Sequence, residues 1–397
     1  MALAGGRIYY EYTNPAIKLS LALRVLDKLF VYSCVFVIRS YSSYIMKKNF
    51  LAVTILPLFF VTSLAALPFS CLPSRDGGVF KSIDRGENWE QKAVISKKST
   101  MAASNILTMA IDLGNSQIIY LGTRGEGIYK SMDGGEIWYH LEDTNQALDK
   151  RANVYDIAID PKNPGNVYIG TYQNRLGRFF RSSDGGKNWE ETYRVAREQY
   201  AIFAVEVDSY DPSVIYMGTA EGGLLKSTDY GKNWKIINWF DDVITDIKVN
   251  PADTRIVYVS TTHKGIFKTD NKGQTWQSLD GLKNFREAEQ IEVLVMDKNN
   301  PNILYAGSKF GLLKSVDGGQ TWQKVNIVIP PESVPVRAIA LDVLTSTYLY
   351  YAAGNVIYRT QDNGQTWSVH PLVSQRNVQI ITIDPKNPLV LYAGMHE

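Results

Sequence analysis

One eight-residue stretch recurs seven times between residues 82 and 367. Its clearest copy is Ser315-Val316-Asp317-Gly318-Gly319-Gln320-Thr321-Trp322, which reads Ser/Thr, any residue, Asp, any residue, Gly, two residues, Trp. The other copies begin at Ser82, Ser131, Ser182, Ser227, Thr269 and Thr360. Their third positions are Asp84, Asp133, Asp184, Asp229, Asn271 and Asp362, and they close on Trp89, Trp138, Trp189, Trp234, Trp276 and Trp367. Only Trp239 of the eight tryptophans lies outside the motif. A fixed period this long dictates a repeat architecture and overrides any domain count taken from length.

A second unit precedes most copies. Ile157-Ala158-Ile159-Asp160-Pro161-Lys162-Asn163-Pro164 leads into Val167-Tyr168-Ile169-Gly170-Thr171, and related phrases span 205–219, 247–261, 294–308 and 381–394. Weaker versions run over 109–123 and 339–354. Each phrase is an apolar run, a Pro/Asn turn and a second apolar run, which predicts two strands and a hairpin. A third strand follows, as in Gly311-Leu312-Leu313-Lys314-Ser315, then the motif and a fourth strand starting at its Trp. Four strands per period of roughly 40–50 residues is the pattern of a β-propeller blade.

The array starts in mid-blade, at Gly78-Val79-Phe80-Lys81, and ends in mid-blade, at Leu391-Tyr392-Ala393-Gly394. Six whole blades lie between. The expectation is an all-β chain with one seven-bladed propeller of four-stranded antiparallel blades over 75–397. Its last blade is shared between the two ends, which leaves no open sheet edge around the ring.

In the motif, Asp and Ser/Thr are placed to accept backbone N–H groups two or three residues on, Gly to take a backbone conformation other residues resist, and Trp to fill the space between blades. Asn271 fits that reading, because Asn serves a turn as Asp does. Seven copies around a ring are fasteners rather than one active centre.

Ser-x-Asp-x-Gly-x-x-Trp resembles the Asp-box, or bacterial neuraminidase repeat. The Asp-Pro-x-Asn-Pro and Tyr-x-Gly-Thr phrasing is most similar to three groups: propellers of the photosystem II stability/assembly factor type, the sortilin ectodomain, and xyloglucanase-type glycoside hydrolases. One fold thus implies several functions. No Arg-Ile-Pro motif is present, which disfavours sialidase chemistry. The resemblance to xyloglucanases implies a second propeller, and the resemblance to sortilin a cysteine-rich module; the sequence given shows neither.

Met46-Lys47-Lys48 and the apolar run from Phe50 to Leu67 read as an export signal over 46–71, with a retained membrane anchor as the other reading. Small residues at Ser63-Leu64-Ala65 suit cleavage, while Leu67-Pro68-Phe69-Ser70-Cys71 is a poor lipoprotein box that makes Cys71 a lipidation candidate. Residues 1–45 are then either a non-native extension or a membrane-associated segment. The expected location is exported: periplasmic, membrane-anchored or extracellular.

Acidic and basic residues nearly cancel, at a net charge of +2, so no footprint for nucleic acid exists. The two cysteines, Cys34 and Cys71, precede the repeats, and the four histidines are scattered. Neither a cofactor nor a metal is expected.

Loops opposite the motif vary while the scaffold repeats, so binding residues are expected there. Five residues before the Asp/Asn that closes each innermost strand stand Leu107, Tyr155, Phe203, Thr245, Glu292, Arg337 and Gln379. One place later stand Thr108, Asp156, Ala204, Asp246, Val293, Ala338 and Ile380. Arg124, Tyr155, Tyr172, Arg175, Arg178, His263, Lys264, Lys309 and Arg337 make a basic, aromatic rim suited to a protein or peptide segment, including one from a membrane protein, or to a polysaccharide. A glycosidase would need paired carboxylates about 5–5.5 or 6.5–9.5 Å apart. Asp156, Asp246 and Glu292 are the candidates, but no pair stands out, and a binding scaffold is favoured over a hydrolase.

Overall fold

The computed structural model describes residues 76–96 and 99–397. The export signal, Cys71 and residues 1–45 lie outside them. Seven four-stranded antiparallel sheets form the propeller, with strands in sequence order within each of blades 1 to 6. Their innermost strands are Ile106–Ile111, Asn153–Ile159, Ile202–Val207, Ile244–Val249, Ile291–Met296 and Ala338–Leu341. Blade 7 takes its inner strands, Asn377–Ile383 and Leu391–His396, from the end of the chain and its outer strands, Val79–Ser82 and Glu90–Gln91, from the start. Val79 pairs with Gly394 and Ser82 with Leu391, which is the expected clasp. The fourth strands start one residue past the tryptophan rather than on it, as at Tyr139 and Lys235. Two features fall outside the repeat: a hairpin of Val94–Ser96 with Ser99–Thr100, and a 3-10 turn at Asp280–Asn284.

The apolar core is a series of inter-blade layers, each drawing on two blades. One joins Ala352 and Ile357 of blade 6 to Phe80 and Ile381 of blade 7. Glycine at the fourth place of the second apolar run permits this approach. A Cβ on Gly122 would sit 2.5 Å from the Val154 carbonyl of the next blade, and one on Gly307 2.5 Å from that of Val336.

The motif turns are hydrogen-bonded as fasteners. In blade 3 the Ser227 hydroxyl donates to Asp229 Oδ1 at 2.8 Å and accepts from the Gly231 N–H at 2.9 Å. Asp229 Oδ1 accepts from the N–H groups of Lys232 and Asn233. The reach is therefore three and four residues, longer than the two or three expected, because the carboxylate caps a whole turn. Asn271 Oδ1 accepts from the Thr275 N–H at 3.0 Å, keeping the acceptor role, while its amide donates to the Thr275 hydroxyl.

Candidate functional site

A central channel of about 1150 Å³ runs between the innermost strands. The strands that line it do not run straight. Six carry a register shift where pairing skips one residue, at Leu107, Tyr155, Phe203, Thr245, Glu292 and Gln379. A bulge bends its strand and re-aims one side chain. The variable ring seen in the sequence is thus a ring of bulges, and all six bulged residues line the channel with Arg337 of blade 6.

At the mouth, where the innermost strands begin, Arg124, Arg337 and His396 come from blades 1, 6 and 7. Burial holds the His396 imidazole below its usual range, and the charges of Arg124 and Arg337 lower it further. Neither arginine has an ion-pair or side-chain hydrogen-bond partner among the described residues. Across the bulge ring, Tyr155 and Phe203 meet edge to face with centroids 4.5 Å apart. Guanidinium groups and an aromatic pair lining one channel can hold a carboxylate and an apolar group.

The rest of the predicted rim is occupied internally. Arg175 pairs with Glu198 at 2.8 Å, Arg178 with Glu191 at 2.6 Å, and Lys309 with Glu287 at 2.6 Å. His263 Nδ1 lies 3.2 Å from Asp242, and Lys264 donates to the Phe240 carbonyl at 3.0 Å. Tyr172 is half-buried on its strand.

Deeper in the channel, blades 2, 3 and 4 bring together Asp156, Glu206, Asp246 and Lys248. Asp246 accepts from the Lys248 ammonium at 2.7 Å. Asp156 accepts from the Val205 N–H of the neighbouring blade at 2.8 Å and from the Ile157 N–H at 2.9 Å. Glu206 reaches the Val249 N–H at 3.5 Å. Each of Asp156 and Glu206 thereby meets the free edge of the next innermost strand. Enclosure by the ring pushes Asp156 up to about 6 and Glu206 to about 7, with the neighbouring carboxylates adding to both. The opposed carboxylates hold the Lys248 ammonium protonated against its burial. Glu292 stands apart, exposed at the mouth.

Of the three carboxylates singled out in the sequence, the structure brings Asp156 and Asp246 together. It adds Glu206 and Lys248, which the sequence reading passed over. Their signal was present two places before the closing Asp/Asn. That column reads Ala110, Ala158, Glu206, Lys248, Val295, Ala340 and Thr382, and only two members are charged. Among the described residues no group of three or more His, Cys, Asp or Glu side chains is arranged to hold a metal ion.

A family model described as Sortilin-Vps10 (Sortilin, neurotensin receptor 3) matches residues 222–310, part of blade 3 to part of blade 5. No curated protein matches the chain. Among solved structures, the GH74 xyloglucanase from Xanthomonas campestris is similar with a TM-score of 0.62 and 15% identity, over 74% of this chain and 51% of that one. The GH74 enzyme of Niastella koreensis gives 0.62 and 17%, over 79% and 52%. A structure described as YCF48 bound to D1 peptide gives 0.57 and 14%, over 74% and 93%. The chain spans about half the length of the two GH74 structures. At such identities the likeness carries the fold alone, and the fold is the one the repeats predict.

Proposed function

We propose that this protein is an exported binding scaffold that holds a protein or peptide segment at the mouth of its channel, acting as an assembly factor for a membrane or envelope complex. The observation that carries this reading is the pair Arg124 and Arg337, open to the channel and free of carboxylate partners among the described residues. Two unneutralised guanidinium groups in the channel that Tyr155 and Phe203 also line suit an acidic segment with an apolar side chain. The peptide-bound YCF48 structure, similar over most of both chains, supports the same class of ligand.

A glycoside hydrolase or carbohydrate-binding role is the second reading, favoured by the raised Asp156 and Glu206 and by the likeness to GH74 structures. Against it, Asp246 is neutralised by Lys248 and Asp156 is engaged by backbone N–H groups, which suits neither to flank a sugar as a free carboxylate.

Affinity capture of envelope proteins with the wild type and with an Arg124→Ala/Arg337→Ala variant tests the first reading. A partner retained only by the wild type supports it. Release of reducing ends from β-glucans, with no captured protein, would favour the second.

A further inference from the structure

The face that carries the motif turns, away from the channel mouth, has a pocket of about 280 Å³ between blades 2 and 3. Asp160, Lys162, Arg181, Tyr230 and Lys232 are among its walls. The other blade junctions show why it differs.

At several blade junctions a basic residue just before the motif reaches the next blade's turn. Lys81 donates to the Gly134 carbonyl at 2.8 Å, Lys130 to Gly185 at 2.9 Å, and Arg359 to Arg85 at 3.0 Å. The same carbonyls also accept a tyrosine hydroxyl: Tyr392 to Gly134, Tyr120 to Gly185 and Tyr350 to Arg85. Where the sixth place of the next motif is Glu, it neutralises the base, as in Lys81–Glu136 at 2.8 Å and Arg359–Glu87 at 2.5 Å.

Between blades 2 and 3 two of these parts are missing. Arg181 donates to the Tyr230 carbonyl at 3.1 Å, but the equivalent tyrosine hydroxyl, on Tyr168, is buried with no hydrogen-bond partner. Tyr168 is 1% exposed, and Asp160, Arg181 and Tyr230, all walls of the pocket, are the groups whose charge it feels. The sixth motif place is Lys232, so a cation stands where Glu87 and Glu136 stand elsewhere. Lys162 adds a third, held over Tyr210 and bonded to its carbonyl. Asp160 turns its oxygens to the Lys162 and Asn163 N–H groups and the Asn166 amide, and Glu190 pairs with Arg181 from the outer strand. Lys232 has no ion-pair partner among the described residues.

We propose that this pocket binds a tetrahedral oxyanion, phosphate or sulfate, held by Lys162, Arg181 and Lys232 with the Tyr168 hydroxyl donating from beneath. An oxyanion supplies both missing parts at once: a counter-charge for Lys162 and Lys232, which have no ion-pair partner among the described residues, and an acceptor for an otherwise unpaired buried hydroxyl. Water alone would leave Lys162 and Lys232 without counter-charge.

The test is calorimetric titration of the full chain with inorganic phosphate and, separately, inorganic sulfate, against chloride at matched ionic strength. Saturable binding of phosphate or sulfate, absent with chloride, is expected. A preference between the two arms assigns a phosphoryl or a sulfate-ester ligand. Lys232→Glu installs the residue that blades 1 and 7 already use, so the variant is expected to fold; it should weaken binding at least about tenfold by reversing a contacting charge. Tyr168→Phe should weaken it about three- to tenfold, the worth of one hydrogen bond. No saturable binding by the wild type, or equal binding by both variants, would overturn the assignment.

Discussion

Arg359 of blade 6 donates to the Arg85 carbonyl at 3.0 Å and pairs with Glu87 at 2.5 Å, joining residues more than 270 positions apart in the chain. Tyr350 donates to the same carbonyl at 3.3 Å. This junction bolts blade 6 to the half of blade 7 that the start of the chain supplies. Arg359→Ala should cost about 1–2 kcal/mol, as loss of a half-buried, charge-assisted contact does. Chemical denaturation reads it. An unchanged midpoint would mean that the strand pairing of Val79 with Gly394 closes the ring unaided.

Gly307→Ala should destabilise by about 1–3 kcal/mol, the usual cost of overpacking a rigid layer. The added methyl would meet the Val336 carbonyl, which is backbone and cannot swing aside. Ser260 and Ala352 hold the equivalent place in blades 4 and 6, where a Cβ is already accommodated, so exchange there should be tolerated better. Thermal unfolding of both kinds of variant checks the difference.

The motif carboxylates give the fold an acid limit. The Asn233 backbone N–H and side-chain amide, with Ser227 and Lys232, hold Asp229 at about 2, below its ordinary 3.8. A depressed carboxylate stabilises the fold above its unfolded pKa and loses that contribution as pH falls through the folded value. Stability should therefore drop between about pH 4 and pH 2. Asp229→Asn should remove this site's share of the drop while preserving the turn, as Asn271 does in blade 4, whereas Asp229→Ala should cost about 1 kcal/mol at neutral pH. Acid titrations of the two variants by circular dichroism separate these outcomes.

Glu206 behaves in the opposite sense. Its carboxyl is pushed up to about 7, so the folded chain binds a proton that the unfolded chain has lost. Stability falls with rising pH from about 4.5 until it levels off above pH 7. Glu206→Gln should raise the melting temperature at pH 8 and flatten this slope. A variant less stable than the wild type at pH 8 would mean that the Glu206 carboxylate is needed in its charged form.

How much of this was legible follows from what repeats. Trp138, Trp189 and the other motif residues recur at one spacing, so the ring and its split blade could be read without coordinates. The contacts between blades could not, because Tyr350 and Arg85 share no local pattern. Arg178 and Arg337 also look alike in the sequence. Pairing with Glu191 across the adjacent strand removes one, and a place beside an open channel leaves the other unneutralised. Glu206 and Lys248 are not legible as site residues because their column is uncharged in the other five blades, and their coupling to Asp156 and Asp246 runs between blades.

Arg124 and Arg337 are proposed to make the channel mouth a binding site. Equilibrium binding of acidic, neutral and basic peptides, compared between the wild type and the Arg124→Ala/Arg337→Ala variant at low and high salt, tests it most directly. Acidic peptides should bind, weaken as salt rises, and lose about tenfold or more in the variant. Acidic peptides that bind both proteins equally well, or bind neither, would contradict that proposal.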